Sequence, residues 1–174
     1  METHMVVRQI HKNEFKMVCK AIRNAFFLPK QSWNKPLHEM AYDGLVSQKW
    51  TGIGLFTKKK ELVAYLDYKE RDDTWIEIGI CLTIEKYRNQ GYMQALFRFL
   101  LNMYPRYTIR IGTYENNTAM IHCIKRLGFQ EERRVLYDRI DGTSSIYFSK
   151  KSVLAIESAS QIVSNGGNEY GQVN

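Results

Sequence analysis

Residues 74–103, TWIEIGICLTIEKYRNQGYMQALFRFLLNM, leave little freedom in how the chain around them folds. From Trp75 the residues alternate. Ile76, Ile78, Ile80 and Leu82 fall on one face, and Trp75, Glu77, Gly79, Cys81 and Thr83 on the other. That is the period of a strand with one buried side. The first set predicts a core face; the second sets one carboxylate among small residues and leaves room along the sheet for something slender. A turn, Tyr87-Arg88-Asn89-Gln90-Gly91-Tyr92, follows. After it comes a strongly apolar helix that Pro105 closes.

The turn has a physical meaning of its own. A loop carrying Arg88 and Gly91 at the mouth of a helix points free backbone N–H groups outward. The helix dipole adds roughly half a positive charge there. Anions, phosphates above all, are held well at such a place. Gly91 has no Cβ, so the backbone can come close to a ligand.

Strand, Tyr87, Arg88 and Gly91 together resemble motif A of the GNAT superfamily of N-acetyltransferases, whose usual form is Gln/Arg-x-x-Gly-x-Gly/Ala. Met93 stands where that family has Gly or Ala. A second segment, Asn117 to Phe129, is similar to motif B, an Asn opening a helix that ends in Gly-Phe. The two motifs come in the family's order, and the resemblance covers Met5 to Lys150.

The resemblance implies an α/β (α+β) fold, with a mixed central sheet of about 6–7 strands and helices on both faces. It implies acetyl-CoA as cosubstrate, no metal, and direct acetyl transfer to a primary amine of a small molecule or peptide. In the family, pantetheine runs along the splayed central strand. Carried over, this gives main-chain contacts from Cys81, Leu82 and Thr83. Pyrophosphate contacts would come from Arg88, Asn89, Gln90, Gly91, Tyr92, Met93 and Gln94, and a side-chain contact from Asn117, which also reads as a helix N-cap. Glu77 occupies the position where many members have a general base, with a surface carboxylate as the plain alternative. Cys81 reads as a small strand residue, because no His stands beside it and the family forms no acyl-enzyme. The family's proton-donating Tyr falls on Ile124, or on Cys123 if Asn116 is the motif Asn. The general acid is therefore open among Tyr114, Tyr137 and water. A catalytically silent acyl-CoA-binding or regulatory protein on the same fold is the alternative function.

Around this centre, Met5 to Ile10 predicts a strand, and Asn13 a cap for a helix burying Phe15, Val18, Cys19, Ile22 and Phe26. The aromatic loop with Phe26, Phe27 and Trp33 leads to a helix from Pro36 to Val46. By resemblance, that region lies over the acceptor site; a loop packing on its own domain is the plainer reading. Gly52 to Lys58 and Glu61 to Lys69 predict a hairpin, turning through Lys58-Lys59-Lys60. Thr108 to Thr113 predicts a strand parallel to the central one, since a helix intervenes. Glu132 to Ile140 and Thr143 to Ser149 predict a hairpin around Asp141-Gly142.

At 174 residues the chain predicts one domain, residues 1–151, with a polar tail over 152–174 rich in Ser, Asn and Gly. A formal charge of +7 raises nucleic acid as a partner, but the basic residues are thinly spread without interleaved aromatics, so none is expected. Part of the surplus suits a polyanionic ligand. No run of 18 apolar residues occurs, so no membrane span is expected. Three scattered cysteines and an N-terminus without an apolar signal core predict a cytoplasmic protein. A homodimer stays open.

Overall fold

The computed structural model describes residues 5–26, 36–72, 74–139 and 141–151. The tail over 152–174 and the loop residues Phe27 and Trp33 lie outside the described residues. Strand β1 (Met5–Gln9) leads through a 3₁₀ turn (Lys12–Glu14) to helices α1 (Phe15–Ala25) and α2 (Leu37–Val46). Strands β2 (Thr51–Thr57), β3 (Leu62–Glu70) and β4 (Trp75–Thr83) follow. A 3₁₀ turn (Glu85–Tyr87) then joins α3 (Tyr92–Met103). The described residues end in β5 (Thr108–Tyr114), α4 (Thr118–Arg126), β6 (Gln130–Val135) and β7 (Ser145–Lys151).

The strands form one mixed sheet of seven in the order β1-β2-β3-β4-β5-β7-β6. Only β4 and β5 run parallel. This follows from α3: a chain that crosses the sheet on a helix returns in the direction it left. Helices cover both faces, as the resemblance implied. On one, Leu96, Phe97 and Leu100 of α3 and Ile124 of α4 pack on Ile76, Ile78, Ile109, Ile111 and Phe148. On the other, Val18 and Ile22 of α1 and Ala41 and Leu45 of α2 pack on Phe56, Tyr65 and Leu82. Each fully buried Leu or Phe contributes about 1.5–3 kcal/mol. Removing the three buried residues of α3 would therefore cost an amount comparable to a typical domain's whole stability margin.

Three local expectations are corrected. Asn13 does not cap α1; it lies within the 3₁₀ turn, where the Glu14 carboxylate accepts the His11 N–H at 2.9 Å. Arg8 donates twice to that carboxylate, at 2.6 and 2.7 Å, and holds Glu14 down to about 2. The Asp141-Gly142 hairpin is wider than expected, since β6 ends at Val135 and β7 starts at Ser145. Tyr137 adopts φ 53 there, and the Asp138 carboxylate takes the Ser145 N–H, so local side-chain bonds replace strand pairing. Lastly, the strict alternation of β4 fails midway. Ile76 and Ile78 belong to the α3 face, but Ile80 and Leu82 pack on the α1/α2 face.

Candidate active site

The break in β4 is a bulge. Tyr68 pairs with Ile78 and Leu66 with Cys81, so Asp67 alone faces both Gly79 and Ile80. The extra residue moves Cys81 onto the face of Ile78, and the Asp67 carboxylate takes the freed Ile80 N–H at 2.7 Å. Pairing between β4 and β5 runs from Trp75–Thr108 to Ile78–Ile111 and stops there. Beyond that point the strands part. The β5-facing polar groups of residues 81–83 then have no strand partner, although β3 still pairs their other side.

Two cavities open in this gap. The larger, about 760 Å³, is a cleft between β4 and the starts of α3 and α4. Cys81, Leu82, Thr83, Arg88, Asn89, Gln90, Gly91, Tyr92, Met93, Gln94 and Asn117 all line it. Gly91 caps α3 at φ 79, a left-handed conformation in which any side chain is strained. The first bond of α3 is from Ala95 N–H to the Gly91 carbonyl, so the N–H groups of Tyr92, Met93 and Gln94 are open to the cleft. Arg88 Nε donates to the Thr83 carbonyl at 3.3 Å, tying the turn to the end of β4. His122 and Arg126 of α4 add to the cleft; sequence reasoning missed both. These donors and cations suit a phosphate-bearing ligand whose slim arm lies along β4. Among the described residues, no group of three or more His, Cys, Asp or Glu could hold a metal ion.

The second cavity, about 330 Å³, lies on the other side of the gap. Its walls are largely apolar: Phe26, Leu37, Met40 and Ala41 from the helical side, Trp50, and Ile80, Ile111 and Met120. Asp67 is the one carboxylate in it and is 3% exposed. Tyr65 donates its hydroxyl to Asp67 Oδ2 at 2.9 Å. Burial pushes the Asp67 carboxyl from 3.8 up to about 6, against the pull of its two hydrogen bonds. Gly79 makes this arrangement possible, because a Cβ there would overlap Asp67 Oδ1 and stand 2.8 Å from the Trp50 ring.

The two cavities share Phe26, Cys81, Asn117 and Met120. Asn117 opens α4, accepting the Met120 N–H at 3.3 Å and donating to Thr113 Oγ1 at 3.0 Å. Burial pushes the Cys81 thiol well up, which keeps it neutral.

Glu77 is placed elsewhere. The bulge sets it on the opposite face from Cys81, so it does not share a groove with that residue as the alternation predicts. It lines neither cavity, and Arg71 pairs with its carboxylate at the surface. Of the general-acid candidates, Ile124 is fully buried and Cys123 lines the polar cleft. Tyr114 lines the apolar cavity, with the Arg139 guanidinium 3.6 Å from its ring, whereas Tyr137 is 76% exposed. Asp67, Tyr65 and Trp50 are the residues sequence reasoning missed. One signal was available: a lone acid inside the apolar run Leu62 to Tyr68.

A profile of the "Acetyltransferase (GNAT) family" matches residues 17–129. No curated protein matches the sequence significantly. Among solved structures, the ribosomal-protein-S18-alanine N-acetyltransferase of Escherichia coli superposes with a TM-score of 0.70 at 16% identity. That match covers 85% of this chain and 94% of the other. Arabidopsis thaliana NAA60 in complex with a bisubstrate analogue gives 0.69 at 15% identity, over 86% and 99%. Spermidine N-acetyltransferase from Vibrio cholerae, in complex with CoA and spermine, gives 0.69 at 11% identity, over 87% and 98%. At these identities the likeness is one of fold.

Proposed function

The chain belongs to the acetyltransferase (GNAT) family, and on that premise we propose that it moves the acetyl group of acetyl-CoA directly to a primary amine. The observation that carries this reading is the meeting of two unlike cavities at Cys81 and Asn117. A donor lying in the polar cleft presents its thioester where an acceptor in the apolar cavity can reach it.

In this reading the N–H groups of Tyr92, Met93 and Gln94, with Arg88, hold the pyrophosphate. The unpaired polar groups of residues 81–83 hold the pantetheine arm. The amine nitrogen attacks the thioester carbonyl carbon, the C–N bond forms and the C–S bond breaks. An ammonium substrate loses two protons overall: one returns to the departing thiolate as CoA-SH and one goes to solvent. Alignment of the two reactants alone supplies ~7–11 kcal/mol of the barrier. The buried, neutral Cys81 thiol favours direct transfer over an acyl-enzyme.

Two measurements test the reading. Calorimetric titration reports acetyl-CoA binding, and thiol release with a panel of small amines, polyamines and peptide N-termini reports turnover. Both are expected. Binding without turnover on any amine would identify a silent acyl-CoA-binding protein instead.

A further inference from the structure

We infer that the apolar cavity receives a primary monoamine bearing an apolar arm, with its ammonium against Asp67 and Trp50, and that Asp67 takes the proton that frees the amine for attack. This rests on the acetyl-transfer reading above. It names both the group that deprotonates the acceptor and the acceptor's chemical class.

Asp67 is placed for that task by the bulge. Its two oxygens are held by the Tyr65 hydroxyl and the Ile80 N–H, which leaves lone pairs for one more donor. Among the described residues no lysine or arginine pairs with it. A buried carboxylate without a countercharge is costly, and an incoming ammonium supplies one. The Trp50 ring lies beside Asp67 Oδ1 at Gly79, and both line the cavity, so an aromatic ring stands next to the carboxylate that an ammonium would meet.

The walls select the rest of the molecule. Leu37, Met40, Ala41, Ile80 and Ile111 offer no second charge. A polyamine would place further ammonium groups against these side chains or leave them outside, gaining nothing from the cavity. About 330 Å³ suits one short aliphatic or aromatic arm.

The proton transfer is complete without a further reactant. R-NH₃⁺ gives one proton to the Asp67 carboxylate, and the neutral amine attacks the thioester carbon. The tetrahedral nitrogen loses its second proton to the thiolate, and Asp67 then releases its proton to solvent. A base titrating near 6 is ionised at neutral pH and still basic enough to take the proton. Besides the Tyr65 hydroxyl on its own strand, the titratable groups that line the cavity with Asp67 are the Cys81 thiol on β4 and Tyr114 on β5. Among the described residues, α1 and α2 give the cavity only apolar groups, and no imidazole or second carboxylate lines it. A titration near 6 in the rate that Asp67→Asn abolishes is assignable to Asp67, whereas one that persists belongs to another group such as His122 of the adjoining cleft.

The experiment uses the full chain, with acetyl-CoA titrated calorimetrically, then phenethylamine, hexylamine, spermidine and a glycyl peptide compared as acceptors. Wild type is expected to favour the two apolar monoamines in kcat/KM, with a limb near pH 6. Asp67→Asn should cut that value by about 10²-fold or more, abolish the limb and leave acetyl-CoA affinity unchanged. If acetyl-CoA does not bind, the acetyl-transfer reading falls and takes this inference with it. If it binds but spermidine or the peptide is preferred, or no apolar monoamine turns over, the inference alone is overturned. The same holds if Asp67→Asn stays within about threefold of wild type. Should that variant not fold, the wild-type preference and pH limb decide.

Discussion

The two cavities are made of different material. The polar cleft is built mainly from backbone: the first N–H groups of α3, the unpaired edge of β4 past Ile78, and a glycine at φ 79. The apolar cavity is built from side chains contributed by both helical layers and four strands or strand ends, with Asp67 and Trp50 at its polar end. Backbone donors are available to many sequences provided the chain can take the required shape. Side-chain walls change with every substitution. One fold can thus keep a fixed donor while its acceptor varies.

The largest expected effect would separate the two carboxylates. Asp67→Asn should lower turnover by about 10²-fold, whereas Glu77→Gln should stay within about threefold. If the order is reversed in steady-state rates at pH 7, the surface carboxylate is the base and the cavity is not the acceptor site.

Next in size is the cleft's dependence on backbone shape. A Cβ at Gly91 would meet nothing within 4 Å, so Gly91→Leu should fold and lose only about 1–2 kcal/mol to its left-handed φ. On the proposed reading, its Leu side chain would nonetheless stand where the phosphates approach. Wild type with acetyl-CoA at ~100 times its dissociation constant should gain about 2.7 kcal/mol. That corresponds to roughly 5–10 °C in melting temperature. The variant should show almost none of it, and a full shift would place the phosphate site elsewhere.

A smaller effect runs the opposite way. With its carboxyl raised from 3.8 to about 6, Asp67 stabilises the fold below its ordinary range relative to neutral pH, and that advantage is lost as pH rises through about 6. Asp67→Asn removes the buried charge and should stabilise the protein by ~1–3 kcal/mol at pH 7, an advantage that vanishes near pH 4. Thermal melts at the two pH values check this, and an equal difference at both would show that the carboxylate is not held in a desolvated site. Smallest of all, Asn117→Ala should cost about 1 kcal/mol through the lost cap of α4. An affinity loss for acetyl-CoA beyond that would show the amide touching the donor.

This difference in material also explains what could be read from the residues alone. The cleft draws mostly on one stretch, 81–94, and on one face of α4, so its parts are neighbours in sequence and carry a motif. Trp50, Asp67, Gly79, Ile111 and Met120 meet only through packing, and no local pattern joins them. Among the described residues, the seven strands, the four α-helices and the parallel β4–β5 pair followed from periodicity and crossover rules applied with the family's pattern. The bulge did not. Gly79-Ile80 fits a plain alternating strand as well as a bulged one, and only the pairing with Tyr68 and Leu66 distinguishes them. Reading β4 without it placed Glu77 beside Cys81 and passed over Asp67.

That single additional residue works as a phase shifter. A strand repeats every second residue, so adding one moves everything downstream by half a period. Deleting either Gly79 or Ile80 would turn Leu82 toward α3 and Cys81 and Thr83 toward α1, and it would let β4 run on beside β5. The gap that both cavities occupy would then close, although only one residue had been removed from the sheet. Chain length at this point is thus a stricter requirement than side-chain identity: a library of substitutions at residue 80 should contain functional clones, and a library of single deletions across 79–80 should contain none.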